Sequence, residues 1–338
     1  MVKCAAVEMK CDRQADCSVG SFDVRRPERD LGIDFAKGVC IFLVVWGHLP
    51  RTGSWEDAFY RIVTTIYAFH IPIFIFISGY LFGNRTGCLG DFKKVVFHVF
   101  KPYLIAGCLM LGLYYVAARF GVPTHGEGGS PLFRLLMGHA GGALWYLYTL
   151  GLFELLTLAW LWLGKRLKRA VFNPMALVLV LGLASLVCSR SDVIAMQPWF
   201  FLYFVVGYFA RKVFPERLPA TALTIILAVA TMAYFPFWRG TLGNFVVTIS
   251  VLSALLALGR LSGSTACGRL FTFLGRKSLS ILLFHPIFIG VLKPCYNGLL
   301  KIDGTGTCSM VSTALIVVVS CLFVDWLLCR RNLDKVIY

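Results

Sequence analysis

The chain has 338 residues, 58% of them hydrophobic and 15% charged, with a mean hydropathy of +0.75. Soluble domains are about 45–50% apolar and about 25% charged, so a soluble globular protein is excluded. The net charge of +16 lies in short loops between apolar runs, which is the pattern of an oriented membrane protein and excludes a nucleic-acid binder.

Residues 1–30 are polar and basic, with no apolar segment before Arg29. They read as a cytoplasmic tail and not as a signal peptide. From residue 31 to 338 apolar runs recur, each long enough to cross about 30 Å of hydrocarbon as a helix. The expected spans are 32–50, 62–83, 94–119, 143–163, 174–189, 197–214, 219–237, 241–259, 278–294 and 309–329. The fold class is therefore an all-α polytopic membrane protein with about ten transmembrane helices. Pro102, Pro236 and Pro286 are expected to kink or end theirs. With these spans, 23 Lys and Arg fall on one side and 8 on the other, with Lys37 and Lys101 inside spans. That bias places both termini in the cytoplasm.

The first span carries Asp34, Lys37 and His48. Lys37 and His48 are eleven residues apart, which rotates them by only about 20° and separates them by about 16 Å along a helix. Asp34 falls on the same face, as do Ile41, Val44 and Val45 between them. A charge inside hydrocarbon is costly unless it is paired or faces water, so this face is a functional candidate. Asp34 and Lys37 also fit an ion pair at the cytoplasmic interface, with Lys37 snorkelling. The second span adds Phe69-His70-Ile71-Pro72 and then Ser78-Gly79-Tyr80. A tight external hairpin over 50–61 would bring His48 and His70 in from the same side, with His70 about 12 Å deep. Two histidines at similar depth suit acid/base chemistry, and they suit proton-coupled transport equally.

Twelve cysteines form no C-x-x-C pair and no Cys/His cluster of metal spacing, so no metal is expected. Cys295 and Cys308, at the two ends of one external loop, are the one pair placed to form a disulfide. Glu154 and Asp325 are intramembrane acids to which the sequence assigns no partner. His98, His125 and His139 read as loop or interface residues.

The segment Ile33–His48 resembles the opening helix of the acyltransferase-3 family, membrane enzymes that move acyl groups from acyl-CoA to glycans and other surface acceptors. Asp34 and Lys37-Gly38 in the first helix, with Phe69-His70-Ile71-Pro72 in the second, are similar to the fucose 4-O-acetylase-like branch. Phe69–Phe82, Lys101-Pro102-Tyr103, Leu144–Leu147 and Leu274–Pro286 continue the likeness, which covers about residues 30–330. Many members have arginine where this chain has Lys37, and lysine can only act as a point charge there.

The resemblance implies a membrane acyltransferase with His48 as its catalytic histidine, acting either as general base or through an acyl-histidine. Lys37 would hold the acyl-CoA or orient the site, and Lys93, Lys94 and Lys101 would meet its phosphates. Asp34 belongs to the same site. His70 would position His48 or the acceptor, or else bond structurally at the Pro72 bend. Trp145 and Tyr146 are candidates for a sugar site, or else interface anchors. His285 is expected to shape its helix rather than react. The implied partners are acyl-CoA, with acetyl-CoA as donor substrate and no bound cofactor, a surface or lipid-linked saccharide hydroxyl as acceptor, and the lipid of a bacterial inner membrane. A transporter or flippase for a saccharide or small solute is the competing reading, though no repeats or paired broken helices are visible.

Overall fold

The computed structural model describes residues 29–50, 53–120, 130–168, 173–174, 176–180, 194–234, 240–295 and 303–337. Within them the chain is helical and forms no strand. In chain order the helices are α1 (Leu31–His48), α2 (Glu56–Tyr67), α3 (His70–Phe82) and α4 (Leu89–Val95), then a π-helical turn (Val96–Phe100) leading into α5 (Lys101–Arg119). After these come α6 (Pro131–Leu136), α7 (Leu144–Leu167), α8 (Phe201–Val213), α9 (Ala222–Tyr234), α10 (Thr241–Leu261), α11 (Ala266–Arg276), α12 (Ser278–Leu292), α13 (Thr307–Arg330) and α14 (Asp334–Ile337).

Six helical segments are long and apolar enough to cross a membrane: 31–48, 56–82, 89–119, 144–167, 242–261 and 307–330. The pair α11 and α12, bent by 81°, makes a seventh if it counts as one span. The chain is therefore an all-helical, multi-pass membrane protein. The sequence spans 197–214, 219–237 and 278–294 take the form of helices of 13, 13 and 15 residues. The span 174–189 lies largely outside the described residues. Residues 266–276, which the sequence leaves in a loop, form the amphipathic helix α11 instead.

Helix α1 sits at the centre. Asp30 caps its start, accepting from the Gly32 N–H at 2.9 Å, and most of its surface is apolar and buried against α3, α10, α11, α12 and α13. The contact with α11 is made by glycines. A Cβ on Gly38 would run into the Phe271 carbonyl, and one on Gly275 into the Asp34 carbonyl. Gly79 and Gly207 bring α3 and α8 together in the same way, against the Phe204 and Phe76 carbonyls. Small residues that let backbones touch are how helices associate where lipid is as apolar as leucine.

The second crossing is broken between α2 and α3. Pro72 has no N–H, and its ring clashes with the carbonyl four residues back, which is that of Ala68. The helix opens there, and the Thr248 hydroxyl of α10, which donates to the Asn244 carbonyl at 2.7 Å, also lies 3.3 Å from the freed Ala68 carbonyl. Helix α2 starts at Glu56, so the tight hairpin expected over 50–61 is shorter than the sequence suggested.

The helix ends sort onto two faces. At one face, Arg260 pairs with Asp30 (2.7 Å), Arg276 with Asp34 (3.3 Å) and Lys277 with Asp325 (2.6 Å). The Lys101 ammonium also donates to the Lys335 carbonyl there at 2.9 Å. At the other face, the end of α1 is followed by a loop whose Ser54 N–H donates to the Gly304 carbonyl, ahead of α13.

Candidate active site

A cavity of about 180 Å³ lies between α1, α3, α7, α12 and the π-helical turn. Each wall is a stripe at helical spacing. Helix α1 supplies Lys37, Ile41 and Val44, at i, i+4 and i+7. The next position on that face, one turn further on, is His48. Helix α12 supplies Ser278 and Leu282, and the next position on that face is His285. Helix α3 runs the other way and supplies Ser78, Phe74 and Ile71, with His70 beside Ile71 at its start. Tyr146 of α7 and His98 of the π-helical turn close the far side. The walls are otherwise apolar, so Lys37, Ser78, His98, Tyr146 and Ser278 are the polar groups in contact with the cavity.

Beyond Val44 the three histidines gather. The His48 and His285 rings are 5.4 Å apart between centroids. Tyr67 stands 6.5 Å from His48 and 5.0 Å from His70, and its hydroxyl donates to the Gly47 carbonyl at 3.3 Å. His70 and His285 are buried, 1% and 0% exposed, whereas His48, the last residue of α1, is exposed.

Both buried histidines have a proline nearby, His70 at the α2–α3 break and His285 just before Pro286 within α12, which runs through that proline without the break the sequence led one to expect. Both turn Nδ1 onto the carbonyl four residues back. His70 Nδ1 lies 2.6 Å from the Ile66 oxygen and His285 Nδ1 lies 2.9 Å from the Ile281 oxygen. A carbonyl only accepts, so Nδ1 carries the hydrogen in each ring and Nε2 is left with its lone pair.

The remaining expected residues divide. Asp34 is bonded by Arg276, not by Lys37, and among the described residues no carboxylate lies within 4.0 Å of the Lys37 ammonium. An interfacial Asp34–Lys37 ion pair is therefore not what holds Lys37, which is half-buried on the cavity wall. Lys93 and Lys94 are exposed in the last turn of α4 and do not line the cavity. Lys101 is occupied by the Lys335 carbonyl. Trp145 stacks on Phe200, with centroids 6.2 Å apart and planes 21° apart, and its neighbour Tyr146 is the one that faces the cavity. Asp325 has its partners in Lys277 and in the Ser280 hydroxyl, at 2.5 Å. Cys295 and Cys308 are exposed free thiols rather than a disulfide. His125 lies outside the described residues. Among the described residues no group of three His, Cys, Asp or Glu could hold a metal ion.

Three contributors escaped the sequence reading. Tyr67 precedes His70 by three residues and so faces it across the break, a spacing visible in the sequence. Ser278 shares a face with His285 at i and i+7. His98, read as a loop or interface residue, lies on the π-helical turn and lines the cavity, and such turns cluster at functional sites.

Residues 30–330 match a family model described as an acyltransferase domain. The chain is similar to nodulation protein NolL of Mesorhizobium japonicum, 46% identical over 66 residues that cover 18% of each chain. It is also similar to nodulation protein NolL of Sinorhizobium fredii, 25% identical over 281 residues, 75% of this chain and 69% of that protein. No solved structure matches it. The family match runs through every helix that lines the cavity or carries one of the three histidines, and by it the chain belongs to the acyltransferase-3 family.

Proposed function

We propose that the protein transfers a small acyl group, acetyl foremost, from acyl-CoA to a hydroxyl of a surface or lipid-linked saccharide. The reading places it in a bacterial inner membrane with ten crossings, both termini and the ion-paired face being cytoplasmic. One observation carries it: three helical stripes line a single cavity and lead from Lys37 at one end towards His48, His70 and His285 at the other.

In this reading acyl-CoA enters from the ion-paired face. Its phosphates meet Lys37 as a point charge, with Lys93, Lys94 and Lys101 further out. The apolar wall between Lys37 and Val44 takes the extended arm that carries the thioester. His48, exposed at the end of α1, meets the acceptor from the opposite side. It removes the proton of the acceptor hydroxyl as that oxygen bonds to the acyl carbon. The carbon–sulfur bond then breaks, and the leaving thiolate takes the proton back from His48. The products are the acyl ester and free CoA thiol. Tyr67 and His70 hold the α2–α3 break beside His48, and Trp145 and Tyr146 flank the acceptor path.

The test is His48→Ala in purified protein supplied with radiolabelled acetyl-CoA and a saccharide acceptor. Acyl transfer is expected to fall by about 10²–10⁴-fold, the contribution of a positioned general base, while the variant accumulates in the membrane at wild-type level. Near-normal transfer by His48→Ala overturns the mechanism. Movement of a saccharide across vesicles without consumption of acetyl-CoA overturns the enzyme reading in favour of a transporter.

A further inference from the structure

His285 is the least explained group near the cavity. It is fully buried, its Nδ1 is committed to the Ile281 carbonyl, and its Nε2 has no hydrogen-bond partner among the described residues. A buried acceptor with nothing to accept from is rare in a folded protein. Pro286 sits inside α12, which runs on from Ser278 to Leu292, and a proline there does not call for a histidine one position earlier. Its neighbour Pro286 packs so closely on Gly142 that a Cβ there would strike the proline ring. A second imidazole stands close to that unpartnered nitrogen's ring: the His48 ring is 5.4 Å away between centroids.

We infer that His285 is a positioning residue for His48, its Nε2 accepting a hydrogen bond from the His48 ring. The inference rests on the reading of His48 as the general base. An imidazole nitrogen lies just over 1 Å from its ring centre, so two rings at this separation bring facing nitrogens within hydrogen-bond reach after a small rotation. His48 has freedom for that rotation, being exposed at the end of its helix.

The bond would do two things. It assigns the single hydrogen of neutral His48 to the nitrogen that faces His285, leaving the other nitrogen with its lone pair towards the acceptor hydroxyl. When His48 takes the acceptor's proton, both of its nitrogens carry hydrogen, and His285 Nε2 keeps one of them bonded until the thiolate reclaims the other. A carboxylate orients the histidine of many hydrolases in this way. In this apolar interior a neutral histidine, its own tautomer fixed by a backbone carbonyl, fills that role without burying a charge.

Three variants test it against acetyl-CoA in purified protein: His285→Phe, which keeps the ring without a nitrogen; His285→Met, which fills the space flexibly; and His285→Gln, which keeps a side-chain acceptor. The expected result is that Phe and Met lower kcat by about 10²-fold or more with KM for acetyl-CoA unchanged, because loss of orientation acts on the chemical step. Gln is expected to hold kcat within about tenfold of wild type. The inference is overturned if Phe or Met turns over within about threefold of wild type, or if KM rises while kcat holds. It is equally overturned if Gln is as inactive as Phe. If Phe and Met fail to accumulate, Gln decides: a kcat within about tenfold of wild type supports the inference, and a loss of about 10²-fold overturns it. His48→Ala assayed alongside separates the two levels. An active His48→Ala removes the underlying mechanism, whereas an inactive His48→Ala with an active His285→Phe removes only the role given to His285.

Discussion

Lys37 is the charged side chain whose placement depends most on its neighbours. Its stripe mates Ile41 and Val44 line the cavity with it, and Arg276, on α11, takes the carboxylate that the sequence would have offered it. An ammonium on an apolar wall, with no carboxylate within 4.0 Å among the described residues, is arranged for an anionic visitor. Lys37→Met is therefore expected to raise KM for acetyl-CoA by about thirtyfold, the equivalent of about 2 kcal/mol for one charge-assisted contact, with a smaller change in kcat. Lys37→Arg keeps the charge and is expected to stay within about fivefold of wild type, since only the shape of the donor changes. Initial rates against acetyl-CoA concentration check both, and equal losses in the two variants would mean that size and not charge matters there. The stripe itself was legible, because 37, 41, 44 and 48 follow from 3.6 residues per turn and a single helix. The partner of Asp34 was not. Arg276 is 242 positions away, and no periodicity links residues across that distance.

At the scale of the element, the glycines decide how close the helices come. Gly38 and Gly275 lie back to back in the α1–α11 contact, each with the other helix's backbone where a Cβ would go. Gly38→Ala must push the helices apart, because a carbonyl cannot rotate out of the way as a side chain can. The expected cost is about 1–3 kcal/mol, typical of overpacking, read as a fall in the melting temperature in detergent and a loss of activity as His48 shifts with α1. Gly112 of α5 has nothing within 4 Å of its would-be Cβ. Gly112→Ala is therefore expected to hold or raise the melting temperature, by up to about 1 kcal/mol of helix propensity. A Gly38→Ala variant as stable as Gly112→Ala would show that the two helices are not in backbone contact. Pro72 announces the α2–α3 break in the sequence, and the break turns Tyr67 and His70 to the same side. Helix α11 was missed because its 11 residues make only about three amphipathic turns, rich in glycine and arginine, which read as a loop until α1 covers the apolar face.

Over the whole molecule, the two faces carry different chemistry, and the direction of the reaction depends on which one meets the cytoplasm. The Lys and Arg bias of the sequence predicts that direction, and the exposed cysteines supply the means to test it. Cys88 and Cys267 are exposed thiols at the ion-paired face, just before α4 and at the start of α11. Cys295 and Cys308 are exposed thiols beyond the histidine group, just after α12 and at the start of α13. Variants that keep one of these four cysteines, treated in intact cells with a membrane-impermeant maleimide, report the sidedness of each. Cys295 and Cys308 are expected to label in intact cells, whereas Cys88 and Cys267 label only after the membrane is opened. This follows because the face with Arg260, Arg276 and Lys277 gathers the positive charge that is retained inside. Labelling of Cys88 or Cys267 in intact cells, with Cys308 protected, would invert the molecule. His48 would then open to the cytoplasm and Lys37 to the outside, where no acyl-CoA is available, and transfer from a cytoplasmic donor to a surface acceptor would lose its route. The reverse result gives the cavity one workable polarity: donor at Lys37, acceptor at His48, and the acyl group crossing between them.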